Sequence, residues 1–339
     1  MNGLAGYVRD NIKKSVCTIC SVVFLFMYIL ESLVLAHPVL ADDNMQELRM
    51  VAGNTKAKDK DSFIFVFLGD GFTENEQELF FKKAEETAKY ILDTVPFREN
   101  KEIFKFYALG CISAETGARG DRAQAKNEEI SDSRDTMFHS RYWTDGVQRL
   151  LSIDETEEQK ALLMAKQYVP AMDYAVVLVN SDTYGGSGGK ICVASLHEAS
   201  VEIVLHELGH TIAGLGDEYW PGAAQMTETA NTTRQPDPAL VPWADLVGQD
   251  GINVYPFADG QTGWYKPSQN CKMQYLGKEY SFCSVCSREL TRAFARHSDA
   301  EAIRKSQLFF AAVVTAVVLT AVTLLAIVLL LRKKHRNNH

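Results

Sequence analysis

The chain of 339 residues has no internal repeat and no long low-complexity tract, so repeat-built architectures are excluded. It also lacks an excess of positive charge. The net charge is -8, and setting aside the +4 of the carboxy-terminal tail and the +1 of residues 1–41 leaves -13 for the body between them. An acidic body offers no electrostatic footprint for nucleic acid, and no nucleic-acid partner is expected. Cysteine is scarce, with 7 in the chain. Cys17 and Cys20 form a C-x-x-C inside an apolar segment, where no redox role is expected.

Charge is missing altogether from residues 308–331. That run exceeds the roughly 20 residues a helix needs to cross a bilayer. Arg332, Lys333, Lys334 and Arg336 follow it, and positive flanks stay cytoplasmic. At the other end, Arg9, Lys13 and Lys14 precede an apolar stretch over 16–30, and Val39-Leu40-Ala41 supplies small residues for a signal peptidase. The alternative is an uncleaved signal anchor, because Glu31 interrupts the apolar run. The expected organisation is a signal peptide or anchor over 1–41, a polar linker over 42–60, an ectodomain over 61–300, a transmembrane helix over 308–331 and a cytoplasmic tail over 332–339. The chain would then be a single-pass protein of the cell membrane with its body outside. In that compartment disulfides are the expected state of cysteine. Five remain, Cys111, Cys192, Cys271, Cys283 and Cys286, so at most two disulfides form and one thiol is left over. A metal site from Cys271, Cys283 and Cys286 is the competing reading, and it lacks a fourth ligand unless His297 supplies one. Asn231-Thr232-Thr233 is a glycosylation sequon.

The most informative stretch is His206-Glu207-Leu208-Gly209-His210. Residues i and i+4 share one helical face, so two imidazoles at this spacing can bind one metal ion together. Glu207, beside the first ligand, can reach a water on that ion as general base. The largely apolar run over 201–205 suits a buried helix, and Gly214 and Gly216 then break it. Asp217 and Glu218 follow the break and are the candidates for a third ligand. Asp217 is placed first, with Glu218 as the alternative, and a distant Glu228 fits less well because its surroundings carry no helical pattern. One zinc ion per chain is the expected cofactor, since two imidazoles and a carboxylate suit it.

Periodicity along the chain reads as α/β. A strand ends in Gly69-Asp70-Gly71, and a Thr73–Glu76 capping box starts a helix that stops near Pro96. Further strands are expected over 104–111, 174–179 and 191–194, with a helix over 155–168. Residues 114–136 and 221–270 read as loop, 185–189 as a glycine-rich turn, and 284–296 as a last helix. The 191–194 strand is the expected exposed edge on which a peptide could pair as an added strand.

Four stretches together resemble the IgA-peptidase family of zinc metallo-endopeptidases. They are Phe67-Leu68-Gly69-Asp70-Gly71-Phe72-Thr73, the run from Asn180 to Gly189, the run from His206 to Tyr219, and Cys271-Lys272-Met273 with Phe282-Cys283-Ser284-Val285-Cys286. The resemblance implies a metzincin-like α/β fold with a mixed twisted sheet, an active-site helix and a Met-turn at Met273. It implies an endopeptidase that hydrolyses peptide bonds of a protein or peptide substrate with a zinc-activated water and Glu207 as base. It also implies that Tyr275, two residues after Met273, assists the oxyanion. A metzincin third ligand stands where this chain has Gly216, so with Asp217 the turn is one residue longer. The alternative function is a surface binding or adhesion protein on an inactive peptidase fold; the unbroken His206, Glu207 and His210 speak for the enzyme.

Overall fold

In a computed structural model of the chain, which describes residues 46–121, 134–260 and 262–296, the central element is a strand over Phe63–Asp70 whose every residue is buried. Side chains alternate across a strand, so Phe63, Phe65 and Phe67 enter one core while Ile64, Val66 and Leu68 enter another. That two-sided burial is why the segment reads as a continuous apolar run. In chain order the strands are β1 (Leu48–Gly53), β2 (Phe63–Asp70), β3 (Phe104–Leu109), β4 (Tyr174–Val179), β5 (Gly186–Ser187) and β6 (Cys192–Ser195). They form one mixed sheet in the order β1-β3-β2-β4-β6-β5. The inner four run parallel, and the two outer strands are antiparallel to their neighbours.

Helices α1 (Gln77–Asp93) and α3 (Ser200–Ala213) cover the phenylalanine face, joined by a helix over 284–296, here α4. Helix α2 (Glu155–Tyr168) covers the opposite face through Ala161 and Ala165. The Glu76 carboxylate accepts hydrogen bonds from the Thr73 amide at 2.9 Å and the Thr73 hydroxyl at 2.7 Å, fixing the approach to α1. Asp154 caps α2 by accepting from the amides of Thr156 and Glu157. Helix α3 ends at Gly214, whose φ of 62° lies in the left-handed region that glycine occupies without strain. The long loop after it holds a two-stranded ribbon, β7 (Tyr255–Pro256) with β8 (Tyr265–Lys266).

Three expectations change. Within 42–60, read as linker, Leu48–Gly53 pair with β3 as an edge strand. Its residues are only half-buried, apart from exposed Gly53, so the apolar alternation that would mark a strand is weak. The 191–194 segment is not an open edge, because β5 lies alongside β6 with Gly186 opposite Ala194 and Ser187 opposite Val193. A two-residue strand is too short to show in a sequence pattern. The expected disulfides are absent: Cys111, Cys192, Cys271, Cys283 and Cys286 are all free thiols. Cys111 and Cys192 are buried in cores on opposite faces of the sheet and cannot meet.

Among the described residues no helix is long and apolar enough to cross a membrane. The expected signal segment over 1–41, the transmembrane run over 308–331, the tail over 332–339, His297 and part of the 114–136 loop lie outside the described residues.

Candidate metal centre

Helix α3 carries the site because its apolar residues fix its rotation. Val204, Leu205 and Leu208 pack into the core, which leaves His206 and His210 on one other face. Their rings meet edge to face with centroids 4.7 Å apart. Each ring is held by its outer nitrogen. His206 Nδ1 lies 3.0 Å from the Lys272 carbonyl, and His210 Nδ1 lies 2.6 Å from the Leu215 carbonyl. A carbonyl can only accept, so each Nδ1 donates, and an imidazole that binds an ion would do so through the Nε2 lone pair. The two Nε2 atoms stand 3.1 Å apart. Asp217 Oδ1 completes the triangle, 3.0 Å from His206 Nε2 and 3.2 Å from His210 Nε2. Donors roughly 2.0–2.1 Å from a tetrahedral ion lie about 3.3 Å from one another, so this set fits a zinc ion.

The carboxylates differ in electrostatics. Burial alone would raise the Asp217 carboxyl, but hydrogen bonds from His206 and His210, with their charge, outweigh it and hold Asp217 well below the usual carboxylate range. Asp217 is therefore an anion at neutral pH, as a ligand must be. Burial pushes the Glu207 carboxyl up from its ordinary value, against the pull of the two histidines. A raised carboxyl is a better proton acceptor near neutral pH. Glu207 rests on the glycine-rich turn, where a Cβ built on Gly188 would fall 1.7 Å from Glu207 Oε2. Only glycine leaves room there for that carboxylate.

Beneath the helix, the Met273 sulfur would meet a Cβ on Gly209 at 2.5 Å, so the glycine inside the motif admits the methionine. Met273 is fully buried, and its carbonyl accepts from the Glu218 amide at 2.8 Å, tying this turn to the loop that bears Asp217.

The structure thus brings His206, Glu207, His210 and Asp217 to one place. Glu218 turns away from it: its carboxylate lies with Cys271, Cys283 and Cys286. Glu228 accepts from the Arg234 amide at 2.8 Å in an exposed turn. Tyr275 is 40 % exposed and its ring packs on Tyr280, with centroids 4.9 Å apart. The tyrosine set against the donors is Tyr219, whose ring stacks on His206 at 6.4 Å. Burial and the neighbouring Asp217, to which it hydrogen-bonds, push its phenol up to about 12.

Three contributors escape sequence reasoning. The Lys272 carbonyl acts through its main chain and leaves no side-chain signature. Glu202, on α3, pairs with Lys272 and with the Tyr90 hydroxyl in the interior, and nothing in the sequence links residues so far apart. Gly188 had a signal in its glycine-rich run, but not its closeness to Glu207.

A family model described as IgA Peptidase M64 matches residues 53–261, more than half of the chain. The match includes His206, Glu207, His210 and Asp217 and ends before Cys271. No curated protein matches the chain.

Proposed function

From the premise that the chain belongs to the IgA peptidase M64 family, and so is a peptidase acting on proteins or peptides, we propose that it is a zinc-dependent endopeptidase of metzincin-like build. The observation that carries this reading is the convergence of two imidazole Nε2 atoms and one carboxylate oxygen within 3.2 Å, each imidazole locked by a carbonyl on its far side. His206, His210 and Asp217 would hold the ion. Zinc bound there supplies Lewis acidity, bringing the pKa of water toward about 7 and polarising a peptide carbonyl. Glu207 accepts the proton of the attacking water and returns it to the departing amine. Gly188, with no side chain, leaves room for that carboxylate. Met273 forms an apolar floor under the histidine turn. The family name does not make immunoglobulin A the substrate of this chain.

The test is metal content together with turnover. The protein should bind zinc at this site and lose that ion in the double variant His206→Ala/His210→Ala. Asp217→Ala should cost the same ion, because removing a charged ligand removes both a bond and charge neutralisation. If peptide hydrolysis survives in the double variant, the assignment of the site is wrong.

The placement of this activity rests on the sequence. We assign the peptidase to the outer face of the cell membrane, tethered by the uncharged run over 308–331, with the basic residues after it cytoplasmic. The segment between the last helix and that run is brief, so the site would work within a few tens of ångströms of the bilayer. Protease added to intact cells should remove the folded domain and leave a small membrane-bound fragment. A domain digested only after lysis would reverse the orientation.

A further inference from the structure

Three segments that adjoin the histidine site also meet behind it. Cys271 stands two residues before Met273, Glu218 directly follows Asp217, and Cys283 and Cys286 sit at the start of α4 at a spacing that puts both on one helical face. Cys271, Cys286 and Glu218 are buried and Cys283 is half-buried. One donor atom from each of the four residues lies within 4.8 Å of every other. We propose that Glu218, Cys271, Cys283 and Cys286 form a second, structural zinc site.

The spacing is that of ligands around an ion and not of bonded sulfurs. Cys271 Sγ lies 3.7 Å from Cys286 Sγ. A disulfide would bring them to about 2.05 Å. Two thiolates about 2.3 Å from a tetrahedral zinc ion are about 3.8 Å apart. Glu218 Oε1 lies 3.2 Å from Cys286 Sγ, near the shorter edge that a sulfur and an oxygen ligand share.

Glu218 supplies an independent observation. Its side chain has no solvent exposure, and Oε2 is buried with no hydrogen-bond partner. Oε1, by contrast, accepts from the Asn231 side-chain amide at 2.9 Å and from the Cys286 thiol at 3.2 Å. The Lys266 ammonium is nearby, but it donates to the Glu218 main-chain carbonyl at 2.9 Å and to the Gln274 side chain. A carboxylate taken wholly out of water is costly unless paired or bound to a metal, and a zinc ion meets that need directly. The surroundings of Cys271 point the same way: the amides of Met273 and Cys283 are directed at its sulfur from 3.5 and 3.4 Å. Main-chain amides aimed at a sulfur in this way are outer contacts that a metal-bound thiolate can accept.

Three soft sulfurs and one oxygen suit zinc, and four protein donors leave no position open for water or substrate. The site is therefore structural. It would clamp the two loops that complete the histidine site, one bearing Asp217 and the other the Lys272 carbonyl and Met273.

The experiment is zinc quantification on the full-length chain in detergent, with wild type and His206→Ala/His210→Ala side by side, followed by cobalt substitution of the double variant. We expect two zinc ions per wild-type chain and one in the double variant. We expect cobalt in that remaining site to give a near-ultraviolet thiolate-to-cobalt charge-transfer band. Cys283→Ser in the double-variant background should abolish the band. Because that change could unfold the protein, free thiols are also counted by mass after alkylation in denaturant without reductant. All three cluster cysteines should be alkylated. A double variant without zinc, or a disulfide among Cys271, Cys283 and Cys286, overturns the proposal and leaves the peptidase reading standing. A single wild-type zinc that the double variant keeps would instead support this site and sink the histidine one.

Discussion

Glu207→Gln is expected to lower kcat by about 100- to 10,000-fold while leaving the metal content unchanged. The amide has the shape of the carboxylate but cannot take the proton of the attacking water. The role proposed for Glu207 rests on its position and its surroundings. It follows His206 on α3, its carboxylate lies against Gly188, and burial pushes it up from its ordinary value. Gly188→Ala would place a methyl group on the spot that the carboxylate occupies, so a large loss of turnover with zinc retained is expected there too. Steady-state kinetics on a peptide substrate, with zinc measured on the same samples, decides the matter. Near-normal hydrolysis by Glu207→Gln would transfer the base to another residue.

The second large effect is on stability. Lys272 and Glu202 form an ion pair in which both side chains are almost fully buried, at 2 % and 1 % exposure. The Tyr90 hydroxyl also bonds Glu202, and the Lys272 ammonium reaches the Gly277 carbonyl at 3.1 Å. Lys272→Met strands a carboxylate in the interior and should cost about 3–5 kcal/mol of folding stability. Glu202→Gln combined with Lys272→Met should recover much of that, because neither partner is then left as a lone buried charge. Denaturant unfolding of the three variants provides the comparison, and a single-variant loss under about 1 kcal/mol would refute it.

Much of the architecture was legible because it depends on local pattern. The β2 run, the 155–168 helix and the break at Gly214 each follow from residues within one turn or one strand of each other. The β1 strand was not legible, because an edge strand that buries little carries little alternation. The covering of β6 by β5 was hidden for a different reason. A two-residue pairing is decided by where a glycine-rich turn returns to the sheet.

The sequence by itself determined the placement of the histidine pair: the helical repeat puts His206 and His210 on one face whatever surrounds them, and Glu207 beside them. It also carried the family: three of the four stretches lie within the family match, and the one around Cys271 and Phe282 lies beyond it. Only the tertiary structure separates Asp217 from Glu218 in space. Adjacent residues in an irregular segment can face opposite ways, and no spacing rule applies to them. Packing turns Asp217 to the imidazoles and Glu218 to the sulfurs of Cys271, Cys283 and Cys286. The same holds for the cysteines, whose odd count left pairing open until the fold set Cys111 and Cys192 on opposite faces of the sheet and gathered the other three around one carboxylate. Contacts between residues distant in the chain depend on the closing of the whole core, and no local pattern encodes them.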